Sequence, residues 1–265
     1  MPYATNPRDG VRTYYEEWEG AGAAVILFSG YTDPLQYSQQ TGLAQALRGR
    51  HRLIFADHRG QGRSDKPHEA EAYALSTRVL DVLAVLDESG VDRAHFVGYS
   101  WGARLGYAVG EHGPERLRSL VLCGNQPYEW DRGSVIYQAV ATAVAAGRER
   151  GIEALVEVWE SAAGERFAEP MRGWMLENDP AALDAAWRST LAEGPVSPDL
   201  SRWRTPCLIY VGAEDEMRDD ARRAAAEIPG ARFLSLPGHT HYSAPEEVDT
   251  LLPHVLELFD SAGRD

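Results

Sequence analysis

The 265-residue sequence is poor in cysteine and in basic residues, and it has no long apolar run. Its two cysteines, Cys123 and Cys207, lie in apolar strand-like segments, so we expect buried, reduced thiols. No Cys or His spacing is typical of a zinc site, and we expect neither a metal nor a cofactor. No stretch approaches the roughly 18 apolar residues that span a bilayer, and the first residues lack a signal-peptide pattern. We therefore expect a cytoplasmic protein without membrane contact.

The charge balance argues against polyanionic partners. There are 26 Lys and Arg residues against 40 Asp and Glu residues, which gives a formal net charge of −14. Binding to nucleic acid or to an anionic membrane needs clustered basic side chains, so neither partner is expected. The 44% hydrophobic and 25% charged content is that of an ordinary globular protein. We expect a small-molecule substrate, and the sequence leaves a homodimer open.

Short apolar runs alternate with longer helical patterns over most of the chain. Residues 75–90 are an example of the helical patterns, with a broad apolar face and with Gly90 placed to end the helix. Residues 11–18 alternate apolar and polar side chains and suit an edge strand. This order predicts an α/β fold with a mostly parallel central sheet and helices on both faces. Six apolar runs predict buried strands, at 24–30, 52–57, 94–98, 118–124, 207–212 and 231–236.

One segment departs from this alternation. Residues 125–204 contain helical patterns and no convincing strand. We predict a core domain formed by residues 1–124 and 205–265, with residues 125–204 inserted between strands as a helical unit over one end of the sheet. The segment holds five of the seven tryptophans, namely Trp130, Trp159, Trp174, Trp187 and Trp203.

A serine lies at the bend between a predicted strand and a predicted helix. The stretch AHFVGYSWGARLGY, residues 94–107, places Ser100 between Gly98 and Gly102. A nucleophile at such a bend takes a strained conformation with positive φ, and strand and helix pass too closely for large side chains two positions away on either side. Backbone N–H groups at the helix start, from Trp101 on, suit a developing oxyanion. The pattern predicts a nucleophile; a glycine-rich turn with an idle serine is the alternative.

A nucleophilic serine needs a base, and the base needs an orienting acid. Both are expected where later strands end, at the same edge of the sheet as the serine. The strand at 207–212 is followed by three acidic candidates, Glu214, Asp215 and Glu216. The strand at 231–236 is followed by two histidine candidates, His239 and His241.

With this order of serine, acid and histidine, the sequence resembles the α/β-hydrolase superfamily over nearly the whole chain apart from the helical segment. DHRGQGRSDKP, residues 57–67, is similar to a D-x-R-G-x-G-x-S-x-K-P stretch of many members; it lacks the G-K-[ST] ending of a phosphate-binding loop. FSGYTDP, residues 28–34, is similar to their H-G-x oxyanion loop. Ser29 replaces the usual histidine, which braces that loop, so the loop geometry is open.

The resemblance implies a catalytic triad. VGAEDEM is similar to the G-x-x-D pattern of the family and points to Asp215 as the acid. LPGHTHY is similar to the L-P-G-x-x-H pattern, which makes His241 the base; members with the base directly after the glycine favour His239 instead. The expected triad is therefore Ser100, Asp215 and His241.

The resemblance also implies an oxyanion hole and a cap. The backbone N–H groups of Tyr31 and Trp101 are the expected oxyanion donors. The helical segment is expected to cover the site as a cap, and most of its tryptophans to pack structurally. We name Tyr128, Trp130 and His239 as candidate pocket residues.

The serine narrows the reaction class. Family members that open epoxides or remove halogens typically carry aspartate at this position, so we predict a serine hydrolase that cleaves a carboxylic ester or lactone of a small to medium, fairly apolar molecule through an acyl-enzyme. A carbon–carbon bond hydrolase, a lyase or a cofactor-free perhydrolase using the same triad is an alternative. From another class, a ligand receptor with a slow vestigial hydrolase site remains an alternative.

Overall fold

The computed structural model describes residues 2–164 and 166–263. Within these residues one sheet of eight strands forms the centre of the molecule, in the order β1-β2-β4-β3-β5-β6-β7-β8. The strands are β1 (Tyr3–Thr5), β2 (Arg12–Trp18), β3 (Gly20–Phe28), β4 (Gly49–Ala56), β5 (Ala94–Tyr99), β6 (Leu117–Cys123), β7 (Cys207–Gly212) and β8 (Arg232–Leu236).

Most neighbouring strands run parallel, as the sequence predicts. The strands from β4 to β8 in the sheet order pair in parallel, and β2 pairs antiparallel with β1 and β4. The edge position predicted for residues 11–18 is wrong. The short β1 pairs with β2 on its outer side, with Tyr3 opposite Tyr14, and so forms the edge itself.

Ten α-helices within the described residues connect and cover the strands. None of them has the length and apolar character that a bilayer crossing requires. The helices are α1 (Leu35–Gln40), α2 (Gly42–Leu47), α3 (Leu75–Glu88), α4 (Trp101–His112), α5 (Val135–Arg150), α6 (Ile152–Ala163), α7 (Met171–Leu176), α8 (Pro180–Ala192), α9 (Arg218–Glu227) and α10 (Val248–Ala262).

Alternate side chains of each parallel strand bury on opposite faces of the sheet, because the side-chain period of a strand is two. Ile26 and Phe28 of β3 pack in the apolar layer beneath α3, α4 and α9. Val25 and Leu27 pack in the layer beneath α1, α2 and α10. The predicted fold class, a mostly parallel sheet with helices on both faces, is confirmed.

The chain between β6 and β7 carries α5 to α8 and no strand of the described residues. These helices bury an apolar cluster of their own, which includes Tyr137, Val144, Leu155 and Trp187. The division of the chain into core domain and cap at residues 125 and 204 stays a prediction.

The carboxyl ends of the parallel strands meet at one edge of the sheet, where ligand sites form in open α/β sheets. β3 ends before the loop of Ser29, and β5 ends before Ser100. The loops after β6, β7 and β8 carry Asn125, Asp215 and His241. The fold therefore brings together polar residues that are far apart in the sequence.

Candidate active site

Ser100 occupies a strained turn between β5 and α4. Its φ of 52° and ψ of −115° lie where L-residues other than glycine rarely occur. The turn is held because Ser100 N–H donates to Cys123 O at 2.7 Å and Gly102 N–H donates to Ser29 O at 3.0 Å. A Cβ on Gly98 would lie only 2.5 Å from Gly102 O, so strand and helix pass backbone against backbone. The spacing read from the sequence matches this geometry.

The three residues predicted as a triad lie in a hydrogen-bonded row. Ser100 Oγ lies 3.1 Å from His241 Nε2. His241 Nδ1 lies 2.9 Å from Asp215 Oδ2. Asp215 and His241 are both buried, so the pair is shielded from water. Neutral imidazole with Nδ1–H donated to the carboxylate leaves Nε2 free to accept the serine proton.

The other two acids after β7 do not reach the histidine. Asp215 Oδ1 accepts the backbone N–H of Met217 at 2.9 Å, which fixes the carboxylate as its Oδ2 faces the histidine. Glu216 is exposed, and its carboxylate accepts the N–H groups of Val135 and Ile136 at the start of α5. Glu214 is exposed. Of the three candidates, the structure brings Asp215 alone to His241.

Glycine and asparagine after β6 make room for this arrangement and brace it. Gly124 has a φ of +66°, and a Cβ there would lie 3.1 Å from the ring of His241. Asn125 Nδ2 donates to Ser100 O at 2.9 Å, and its Oδ1 accepts the N–H of Gln126. Tyr99 OH donates to His241 O at 3.3 Å. The role of Asn125 in holding the turn is a tertiary feature, because Ser100 lies 25 residues away in the sequence.

Two residues that line the same cavity as Ser100 have backbone N–H groups without an internal acceptor in the described part of the chain. Tyr31 follows the glycine of the oxyanion-like loop, and Trp101 is the first residue of α4. In the described part of the chain, neither N–H donates a hydrogen bond to a protein acceptor. The start of α4 adds the positive end of a helix dipole. Both groups are therefore available to an anionic oxygen.

The loop after β3 is braced without the usual family histidine. Ser29 Oγ donates to Asp33 O at 2.7 Å. His58 Nε2 lies 2.9 Å from Ser29 O, and burial lowers the pKa of His58 to about 3, so the neutral ring donates this hydrogen bond. From the helical segment, Asn178 Nδ2 donates to Thr32 O at 2.9 Å. Ser29 and His58 together hold the loop that the sequence left open.

A cavity of about 240 Å³ opens above the serine. Its core wall comes from the loops at the strand ends. The core wall includes Gly30, Tyr31, Asp33, Tyr37, Ser100, Trp101, Asn125 and His241. Its helical wall comes from the segment between β6 and β7 and is apolar. The residues of the helical wall are Trp130, Ile136, Val140, Trp159, Phe167, Met171, Met175 and Trp187.

Comparison with known proteins identifies the family to which the chain belongs. The family model for the alpha/beta hydrolase fold matches residues 23–140. The "Putative carbamate hydrolase RutD" of Caulobacter sp. (strain K31) is 30% identical over 228 residues, which are 80% of this chain and 83% of that protein. The chain belongs to the α/β-hydrolase superfamily. The "Putative 2-succinyl-6-hydroxy-2,4-cyclohexadiene-1-carboxylate synthase" of Bacillus subtilis (strain 168) is 31% identical over 255 residues, 89% of this chain and 92% of that protein.

Solved structures of more distant α/β hydrolases share the fold. The enol-lactonase from Burkholderia xenovorans LB400 superposes with a TM-score of 0.80 at 22% identity, covering 98% of this chain and 100% of that one. The esterase EaEST from Exiguobacterium antarcticum gives a TM-score of 0.80 at 18% identity, with the same coverage of 98% and 100%. At these identities the likeness extends to the fold alone.

In this α/β hydrolase, one of the three predicted pocket residues lines the cavity. Trp130 is part of the helical wall. Tyr128 lies outside the cavity, where the guanidinium of Arg223 stacks 4.0 Å from its ring centre. His239 also lies outside: its Nδ1 is 3.2 Å from Ser243 O and its Nε2 is 3.4 Å from Glu247. Those two predictions are wrong because nearness in sequence to a strand end does not fix the direction of a side chain.

Sequence reasoning missed the buried carboxylate of the α/β-hydrolase cavity. Asp33 is 7% exposed and belongs to the core wall. Burial raises the pKa of Asp33 to about 7, against smaller opposing effects of the Gly30 backbone and of His241. The signal in the sequence was the carboxylate in FSGYTDP, which looks like an ordinary solvated turn residue. The described residues contain no group of three or more His, Cys, Asp or Glu side chains that could hold a metal ion.

Proposed function

We propose that this α/β hydrolase is a serine hydrolase that cleaves a carboxylic ester or lactone of a small to medium, fairly apolar molecule. The observation that carries the proposal is the row of contacts from Ser100 Oγ to His241 Nε2 at 3.1 Å and from His241 Nδ1 to Asp215 Oδ2 at 2.9 Å. This row opens into a cavity that also contains two unused N–H donors. The relative named as a putative carbamate hydrolase is consistent with attack at a carbonyl carbon.

The proposed reaction has two halves. Ser100 Oγ attacks the carbonyl carbon while its proton moves to His241 Nε2, and the carbonyl oxygen becomes an oxyanion. The oxyanion accepts hydrogen bonds from the N–H groups of Tyr31 and Trp101, each contributing about 3 kcal/mol to stabilisation of the transition state. Protonated His241 then gives its proton to the leaving alkoxide, and the acyl group stays on Ser100.

In the second half, water attacks the acyl-enzyme. His241 Nε2 takes a proton from the water, and the tetrahedral intermediate forms in the same oxyanion hole. On its collapse the proton returns to Ser100 Oγ and the carboxylic acid leaves. Asp215 holds the imidazole in the required tautomer and stabilises its protonated form in both halves.

The helical segment at residues 125–204 is proposed to act as a cap that gives the substrate an apolar surface. Its wall consists of tryptophan, methionine, phenylalanine and aliphatic side chains, which favour uncharged carbon skeletons. Met171 and Met175 are unbranched and adaptable, so the wall suits a range of substrate shapes.

A fluorophosphonate probe followed by peptide mass spectrometry tests the nucleophile. We expect labelling at Ser100, steady turnover of 4-nitrophenyl butyrate, and a fall in kcat of about 10⁴-fold or more for Ser100→Ala with an unchanged thermal unfolding transition. Ser261→Ala, which changes an exposed serine of α10, is the control and retains full activity. Activity of Ser100→Ala comparable to that of the wild type would refute the proposal.

A substrate panel separates the hydrolytic reading from its alternatives. Matched esters, lactones, carbamates and β-diketones are compared by kcat/KM on the same enzyme. The proposal requires that an ester or lactone be the best substrate class. A single slow turnover of every compound would identify a ligand receptor instead.

A further inference from the structure

The cavity contains one buried carboxylate that the proposed reaction does not use. Asp33 is 7% exposed and lines the core wall between the oxyanion-like loop and Tyr37. Gly30 makes room for it, because a Cβ on Gly30 would lie 2.6 Å from Asp33 Oδ2. The carboxylate is thus packed against Gly30, the residue before Tyr31, whose N–H is one of the two proposed oxyanion donors.

Among the described residues that line the cavity, no lysine or arginine neutralises this carboxylate. The lining residues include no Lys and no Arg; besides Asp33, the acidic residue among them is Glu246, which is exposed. The carboxylate of Asp33 forms no ion pair within the described residues, and the chain as a whole carries a formal charge of −14. The Gly30 backbone N–H donates a hydrogen bond to this carboxylate. A buried carboxylate that lacks a cationic partner is nevertheless costly to the fold, so a ligand that supplies a cation or a further donor compensates this cost.

We propose that Asp33 selects substrates by charge: the cavity takes molecules that are uncharged or that carry an ammonium or another hydrogen-bond donor, and it rejects molecules with a free carboxylate. An ammonium or hydroxyl group in the cavity donates a hydrogen bond to Asp33. A second carboxylate meets like charge in a site of low polarity with no cation to offset it. This inference rests on the proposed function, since it concerns the substrate of the same site.

Three compounds of equal chain length test the inference: 1-hexylamine, 1-hexanol and hexanoate. Each is measured as a competitive inhibitor of 4-nitrophenyl butyrate hydrolysis at pH 8, in the wild type and in Asp33→Asn. Each compound has one polar end and enters the cavity in either direction, so the test does not depend on which half of the ester binds near Asp33. For the wild type we expect the amine to bind about 10-fold more tightly than the alcohol, and hexanoate about 10-fold more weakly.

In Asp33→Asn the amine should lose about 10-fold in affinity and hexanoate should gain about 10-fold, with hexanol unchanged within about 2-fold. Asp92→Asn is the matched control, because it makes the same chemical change at an exposed residue before β5, at the opposite end of the strand from Ser100. Its three inhibition constants should equal those of the wild type. An unchanged ranking in Asp33→Asn, or tightest binding of hexanoate to the wild type, would overturn the inference.

The outcome is distinguishable from a failure of the proposed function. If the neutral ester is not turned over, the serine-hydrolase proposal fails, and the same three compounds are titrated by quenching of tryptophan fluorescence. Trp101, Trp130 and Trp187 line the cavity and report binding without catalysis. The charge ranking and its loss in Asp33→Asn then stand or fall independently.

Discussion

The two walls of the cavity differ in composition and in how the fold fixes them. The core wall carries the polar groups, and its residues follow strands of one rigid sheet: Ser100 after β5, Asp215 just behind the wall after β7, and His241 after β8. The helical wall is apolar and comes from one continuous segment with an apolar cluster of its own. Groups that transfer protons need fixed distances, whereas an apolar surface only has to exclude water and match a shape. The difference indicates that chemistry and selectivity reside in separate parts of the chain.

The largest effect is expected when His241, the proposed general base in the core wall, is replaced. His241→Ala removes the group 3.1 Å from Ser100 Oγ, so kcat for 4-nitrophenyl butyrate should fall by about 10⁴-fold or more. His239→Ala is the matched control, because the ring of His239 contacts Ser243 O outside the cavity. We expect its kcat to fall by less than about 3-fold. Comparable losses in both variants would contradict the assignment of the base.

A smaller and more selective effect is expected from the helical wall. Ile136→Ala should lower kcat/KM for 4-nitrophenyl octanoate by about 10-fold and leave that for the acetate within about 2-fold, because the longer chain buries more apolar surface against the helical wall that contains Ile136. Val135→Ala, at a neighbouring residue that is 77% exposed, should change neither value. Equal losses of kcat/KM for the acetate and the octanoate would show that the helical wall also affects the chemical step.

The smallest effect concerns stability and pH. Because burial raises the pKa of Asp33 to about 7 from an ordinary value near 3.8, the folded state binds a proton there that the unfolded state has released. The contribution of Asp33 to the stability of the wild type therefore falls as the pH rises from about 4 through 7. In Asp33→Asn this loss is absent, so the variant should be more stable than the wild type by about 1 to 3 kcal/mol at pH 8 and similar at pH 4.

Urea unfolding of both proteins at pH 4, 6 and 8 measures this difference. His241, Tyr37, Tyr99 and Tyr242 lie near Asp33 in both proteins, so comparison of the two removes most of their contribution. Burial raises the pKa of each of the three tyrosines, so these side chains stay neutral over this pH range. A stability difference that does not change with pH would contradict a buried carboxylate with a raised pKa at residue 33.

Much of the core could be predicted from local pattern. Short apolar runs such as 207–212 predict buried strands because both faces of a parallel sheet are covered, and the structure has β7 at those residues. The glycines around Ser100 predict the bend because they reflect a close approach of two backbones. The edge position was wrongly predicted for residues 11–18 because the true edge strand, Tyr3–Thr5, has only three residues, too few to show a strand pattern.

The cavity was less predictable, since burial there depends on how distant segments close over one another. Asp33 follows a strand in a polar stretch, and side chains that lie near it, such as Tyr99 and Tyr242, come from distant parts of the sequence. Arg78 is a further example: a helix residue with a charged side chain, it is fully buried with its guanidinium 3.6 Å from the ring centre of Trp101. Neither environment has a signature in the neighbouring sequence.

The glycine contact beneath Ser100 has a consequence for how the protein behaves on heating. At Gly98 and Gly102 the backbones of β5 and α4 lie in direct contact. The strained backbone conformation of Ser100 therefore cannot relax unless these two elements separate. Those two elements belong to the most deeply buried part of the sheet, where local opening requires as much free energy as global unfolding. Inactivation by heat should therefore coincide with melting of the whole core and not precede it as a separate event.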